Sequence, residues 1–325
     1  MIVQTVKQRR LKIKVPVRRM IKENHLSRNH LVFPMSVDAN LSAPVPVDYM
    51  PGIMRFSIQG AVEKVKELRD LGIGAVYLIG IPLSRDAHAS DAYSEDGVIQ
   101  QVTRQIKKAT GDDIIVIGDS YLGYFTDHQI GGVLDDTGKI QDGPTLELIR
   151  KIAVKWAESG VDIFCNSTAV DGRVLAAREA LADAGLDDTL IMSSIKFNSA
   201  FYMSGVGLTG TGKSYAYDKG VYYMDPANAN DPLRMALLDV EQGADILNVK
   251  PATPYMDIIH KLKSQCGKPV SAYSIAGDYA MISYGSRYGN LNEKDCVLEL
   301  MMSLRRSGAD ILITYWADKL ARWLT

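Results

Sequence analysis

Two lysines close apolar runs whose other residues belong in a core. Lys250 ends Ala244-Asp-Ile-Leu-Asn-Val-Lys-Pro251, and Lys196 ends Leu190-Ile-Met-Ser-Ser-Ile-Lys196. Lysine is among the residues least often fully buried, so a core strand that finishes on one suggests that its amine is used. Two amines aimed into one pocket each disfavour protonation of the other, and desolvation acts in the same direction. A neutral amine is the nucleophile that forms a Schiff base with a carbonyl carbon. Either lysine alone reads as well as a strand-end side chain reaching for solvent. The pair points to carbonyl chemistry.

The elements that would position these amines repeat. A helical pattern, a glycine, a small residue and an apolar run follow one another at Leu68–Leu78, Trp156–Cys165, Val240–Val249 and Leu304–Thr314. Glycine stops the helix, and the apolar run after it has the composition of a parallel strand buried on both faces. Eight such runs fall at about 31–37, 74–80, 113–119, 161–166, 189–195, 244–250, 269–275 and 309–315. Helix-like segments follow most of them, as at 144–159, 171–185 and 292–307. This alternation predicts an α/β fold, a (β/α)8 TIM barrel over residues 29–325 with an N-terminal arm over residues 1–28. No G-x-G-x-x-G follows the first strand, which weighs against dinucleotide binding. The glycine-rich stretch Gly205–Gly212 is read as a mobile lid over the barrel mouth rather than a phosphate loop. Active sites of such barrels lie at the C-terminal ends of the strands. Those ends carry Asp119, Ser167, Lys196, Lys250, Ser274 and Tyr315.

Composition narrows the class. The 325 residues are 46% hydrophobic, enough for a large core, and the net charge of −1 gives no global pull toward nucleic acid or a membrane surface. The exception is the basic arm, with Lys7, Arg9, Arg10, Lys12, Lys14, Arg18, Arg19 and Lys22, which suits packing on a neighbouring subunit at least as well as nucleic acid. Cys165, Cys266 and Cys296 form no C-x-x-C pattern, as in a reducing cytosol. No apolar stretch is long enough for a membrane span, and the N-terminus lacks a signal peptide's apolar core. A soluble cytoplasmic protein is expected.

Several ordered blocks carry a resemblance that runs nearly end to end. They are Asp91-Ala-Tyr-Ser-Glu-Asp-Gly97, Asp171-Gly-Arg173, Phe201-Tyr202, Met224-Asp-Pro-Ala-Asn228, Val249-Lys-Pro251 with Pro254-Tyr-Met-Asp257, and Gly277-Asp-Tyr-Ala-Met281. In these the chain resembles the porphobilinogen synthase family, also called 5-aminolevulinate dehydratases. The resemblance implies a TIM barrel whose arm embraces a neighbour in a homo-oligomer, a hexamer or octamer built from dimers. It implies two 5-aminolevulinate molecules held as Schiff bases on Lys250 (the propionate, or P, side) and Lys196 (the acetate, or A, side). Asp119 and Ser167 match residues beside the A-side lysine, and Tyr315 matches a tyrosine that grips the P-side carboxylate. Phe201, Lys219, Tyr223 and Ser274 complete the expected substrate-binding set.

The departures from the family gather on the A side. At the three positions of the family's metal loop stand Tyr121, Gly123 and Gly131, so no metal with its usual ligands and no other cofactor is expected. Asp127 and His128 are nearby, a pair more often engaged in loop hydrogen bonds. Val206 falls where the family has a carboxylate-binding arginine, Tyr223 where it has a glutamine, Ala276 where it has the P-side serine, and Met235 near an allosteric-metal glutamate. Three readings follow. The leading one is a metal-independent paralogue that joins 5-aminolevulinate, or a related amino-ketone or keto acid, to a different carbonyl partner through lysine imines. The others are an ordinary porphobilinogen synthase and a catalytically silent binding or regulatory subunit.

Overall fold

A computed structural model describes residues 7, 9–202, 206–209 and 219–324, without the side chains of Val206 and Lys219. Eight parallel strands form the barrel: β1 Leu31–Asp38, β2 Ala75–Ile81, β3 Ile115–Asp119, β4 Ile163–Asn166, β5 Leu190–Lys196, β6 Ile246–Lys250, β7 Val270–Ser274 and β8 Ile311–Thr314. Each pairs with the next, and β8 returns to β1 through Leu31↔Leu312 and Val32↔Ile313. Two short strands, Val45–Pro46 and Met54–Phe56, extend the sheet beside the C-terminal end of β1. These are the eight runs expected from the sequence, with small shifts at their ends. Nearly every strand residue is buried, as a sheet covered by helices outside and filled by its own side chains inside requires.

The recurring glycine does what its position demands. Gly72, Gly160, Gly243 and Gly308 have φ of 80°, 99°, 101° and 115°, a left-handed turn that ends the helix and aims the chain into the next strand. An aspartate follows three of them and ties the lower rim. Asp162, Asp245 and Asp310 accept the backbone N–H of Val116 (2.6 Å), Ile191 (2.8 Å) and Val270 (2.9 Å) on the preceding strand. Each also pairs with a cation, Lys107, Arg178 and Lys263 respectively.

Strand alternation then decides which side chains enter the barrel. On β4 and β5, Asn166 and Ser193 face outward, to the Arg173 carbonyl and to Asp239. Ser194, Lys196, Asn248 and Lys250 face inward, and Lys196 stands in register with Lys250 on the adjoining strand. In the arm, helices Arg10–Ile13 and Val15–Met20 bury no residue and expose Leu11, Ile13 and Met20. Of the glycine-rich stretch expected as a lid, Val206–Thr209 forms a short helix with Leu208 buried; Gly205 and Gly210–Gly212 lie outside the described residues.

Candidate active site at the C-terminal mouth of the barrel

The two amines occupy different surroundings within one chamber. Lys250 Nζ donates to Asp119 Oδ2 at 2.9 Å and to the Tyr77 hydroxyl at 3.4 Å, and lies 4.9 Å from the centre of the Tyr273 ring. Lys196 Nζ donates to the Ser167 carbonyl at 3.1 Å and to the Tyr223 hydroxyl at 3.2 Å. It also sits 4.0 Å from the centre of the Tyr121 ring and 4.6 Å from that of Tyr223. One lysine therefore has an anionic partner and the other a cradle of phenols. Both are almost wholly buried.

Asp119 holds the chamber's negative charge. Burial pushes its carboxyl up, but Lys250, Lys196 and the Ser167 hydroxyl outweigh burial and hold it below the ordinary aspartate value. Tyr124 donates a further hydrogen bond to Asp119 Oδ2 at 3.3 Å. The surrounding phenols, Tyr77, Tyr124, Tyr202, Tyr223 and Tyr273, are pushed well above the ordinary tyrosine value, first by burial and then by neighbouring negative charge and phenols. They stay protonated and supply hydrogen bonds and ring faces, not charge. An ionised carboxylate 2.9 Å from an amine can take the proton the amine must lose before it attacks a carbonyl, and can return it later.

Six of the expected residues meet here: Asp119, Ser167, Lys196, Lys250, Tyr223 and Tyr315. Tyr315 reaches the chamber beside β7, its hydroxyl 3.2 Å from that of Tyr273. Phe201 lies half-buried at the mouth, where the chain passes so close to helix Ala276–Tyr288 that a Cβ at Gly277 would strike the Phe201 carbonyl. Ser274 does not join them. Its hydroxyl is committed to Asp278 at 3.1 Å, a carboxylate that also accepts from Thr253 and the Ile275 backbone, because alternation turns Tyr273 inward and Ser274 out. The side chains of Lys219 and Val206 lie outside the described residues. Sequence reasoning missed Tyr77, Tyr124, Tyr202 and Tyr273. Tyr202 donates to the Lys250 carbonyl at 2.8 Å. Composition carried no signal for Tyr77 and Tyr273, because it does not set which residues of a strand face inward.

The loop after β3 does not fit a metal. Among the described residues no group of three His, Cys, Asp or Glu could hold one. The Tyr121 ring fills the space instead. A Cβ at Gly123 would stand 2.6 Å from its Cε1, and one at Gly131 would stand 2.7 Å from its Cε2. Asp127 and His128 are engaged in local bonds, to the His128 N–H and the Ile130 N–H. At the second site weighed from the sequence, the Met235 sulfur lies 3.5 Å from the guanidinium of Arg173, which is paired with Asp239 at 2.8 Å.

Residues 5–323 match the family model described as "ALAD: Delta-aminolevulinic acid dehydratase". The chain belongs to the delta-aminolevulinic acid dehydratase family. Among curated members, the protein of Halalkalibacterium halodurans is 40% identical over 319 residues, covering 98% of this chain and 96% of its own. That of Synechocystis sp. is 39% identical over 325 residues, covering 98% of each chain. Both are named delta-aminolevulinic acid dehydratase. The crystal structure of the Toxoplasma gondii delta-aminolevulinic acid dehydratase, in complex with the reaction product porphobilinogen, superposes with a TM-score of 0.96 at 33% identity, over 99% of this chain and 92% of that one. Family membership makes the chain a lyase on a TIM barrel.

Proposed function

We propose that this dehydratase condenses two molecules of 5-aminolevulinate to porphobilinogen through imines on Lys250 and Lys196. The observation that carries the reading is the register pair Lys196↔Lys250, which brings two buried amines to one mouth with Asp119 on the second. Lys250 passes a proton to Asp119 and its nitrogen attacks the ketone carbon; the ketone oxygen leaves as water and a C=N bond remains. The second molecule forms the same bond on Lys196. Loss of a proton from the carbon beside the Lys196 imine gives an enamine, which attacks the imine carbon on Lys250. A second proton leaves the attacking carbon as the bond to Lys250 breaks and a C=C bond forms. The free amino group of the Lys250-side molecule then closes on the Lys196 imine carbon, displacing Lys196, before loss of a ring proton completes the pyrrole. Buried neutral phenols orient both molecules and keep water from the imines. No step is routed through a metal, because the loop after β3 offers no ligand set.

The identity to named dehydratases over almost the full length favours this reaction over the paralogue expected from the A-side departures. The phenols around Lys196, with Val206 where the family has a carboxylate-binding arginine, favour a different second carbonyl. We further propose that the arm, residues 1–28, packs on another copy in a cytoplasmic homo-oligomer, since its short helices expose Leu11, Ile13 and Met20 to solvent. Among the described residues no helix is long and apolar enough to cross a membrane. The deciding experiment is a pyrrole assay with 5-aminolevulinate as sole substrate. Steady porphobilinogen production is expected; borohydride adducts confined to Lys250, with no pyrrole formed, would restore the paralogue reading.

A further inference from the structure

We propose that Tyr121 is a positioning residue that, with Tyr223, encloses Lys196 Nζ and stabilises the cationic imine formed on it. The proposal rests on the imine reading above and adds what holds that imine. Lys196 lies over both rings, at 4.0 Å and 4.6 Å from their centres, and the two phenol hydroxyls are hydrogen-bonded to each other. Tyr121 is seated by its neighbours. Its ring lies on the faces of Gly123 and Gly131, where any side chain would displace it, and the Tyr124 ring meets it edge-on at 5.1 Å. Two glycines, one of them held between Tyr121 and the Gln129 carbonyl, thus preserve a slot the width of one aromatic ring.

The chemistry gives the slot a use. A lysine ammonium and a ketone become an iminium and water with no net proton: two of the three ammonium hydrogens leave on the ketone oxygen, and the C=N nitrogen keeps one hydrogen and the positive charge. Asp119 is already engaged by Lys250, so the charge at Lys196 is met by ring faces, which attract a cation more strongly once water is excluded. Among the described residues, Lys196 meets the Tyr121 and Tyr223 rings, stands in register with Lys250 and helps hold the Asp119 carboxyl down. The rings of Tyr121 and Tyr223 both lie against the nitrogen.

The test uses the full chain, 5-aminolevulinate and cyanoborohydride, which reduces the protonated imine, with adducts at Lys196 and Lys250 quantified by peptide mass across alkaline pH. Tyr121→Leu is expected to move the alkaline limb of Lys196 trapping down by roughly half to one pH unit. Tyr121→Phe, which keeps the ring face, should leave the limb in place. Gly131→Ala, whose Cβ would meet the Tyr121 ring at 2.7 Å, nearer than any other neighbour, should shift it as Tyr121→Leu does and add nothing in a Tyr121→Leu background. Trapping at Lys250 controls for folding; should Tyr121→Leu not fold, Gly131→Ala decides alone. Unchanged Lys196 profiles in Tyr121→Leu and Gly131→Ala, with wild-type trapping intact, overturn the ring proposal and leave the imine reading standing. Wild-type protein that never traps at Lys196 overturns both.

Discussion

Lys250 and Asp119 share a buried contact that, on the proposed reaction, serves both stability and chemistry. Replacing Lys250 with alanine should remove the reduced adduct at that position; a full-yield adduct elsewhere, with turnover retained, would sink the assignment. Asp119→Asn keeps the shape but not the charge. Turnover should fall about 10²- to 10⁴-fold, the range of a lost general acid–base group. Removing one partner of a buried pair also costs about 3–5 kcal/mol. The pH dependence has a definite sign. Asp119 lies below the ordinary aspartate value in the folded protein, so its contribution is complete above about pH 3.9 and is lost as pH falls through the folded value. Denaturation midpoints of wild type and Asp119→Asn should therefore differ at neutral pH and converge in acid.

At the scale of elements, the two rims of the barrel have different duties. Asp162, Asp245 and Asp310 stitch strand to strand at the lower rim, far from the amines. Asp245→Ala leaves the Ile191 N–H without its acceptor, and urea denaturation should register a loss of about 1–3 kcal/mol while activity in the surviving folded protein is kept. Loss of activity without loss of stability would contradict that division. The upper rim carries the phenols. Their folded values lie above the ordinary tyrosine value, so their contribution is complete below about pH 10 and declines as pH rises beyond it. Phenolate absorbance from these rings should appear together with alkaline unfolding, not before it.

For the whole molecule, two expectations concern what lies around the single barrel. Turnover should be indifferent to chelators and to added divalent ions, because Tyr121, Gly123 and Gly131 present no ligand set. A stoichiometric zinc whose removal stops turnover would refute this. Deleting residues 1–28 should lower the number of chains per particle, taken from the light-scattering mass divided by the truncated chain's mass, while the barrel keeps its circular dichroism. An unchanged number of chains would remove the arm from the assembly.

The barrel was legible because its cause is local and repeated. A helix, a left-handed glycine and a doubly buried strand each leave a mark within a few residues, as at Gly243 before Ile246–Lys250. The strand-end lysines were legible for the same reason: an amine closing an apolar run conflicts with its surroundings wherever the strand goes. What lies opposite those amines was not legible. That Asp119 chose Lys250 over Lys196, and that Tyr121 came to rest on Gly123 and Gly131, both depend on register and on loop paths between distant segments. Ser274 was misplaced because composition marks a strand's end but not the parity of its last residue. Only closing the sheet sets which residue faces inward, and a shift of one residue exchanges the two faces.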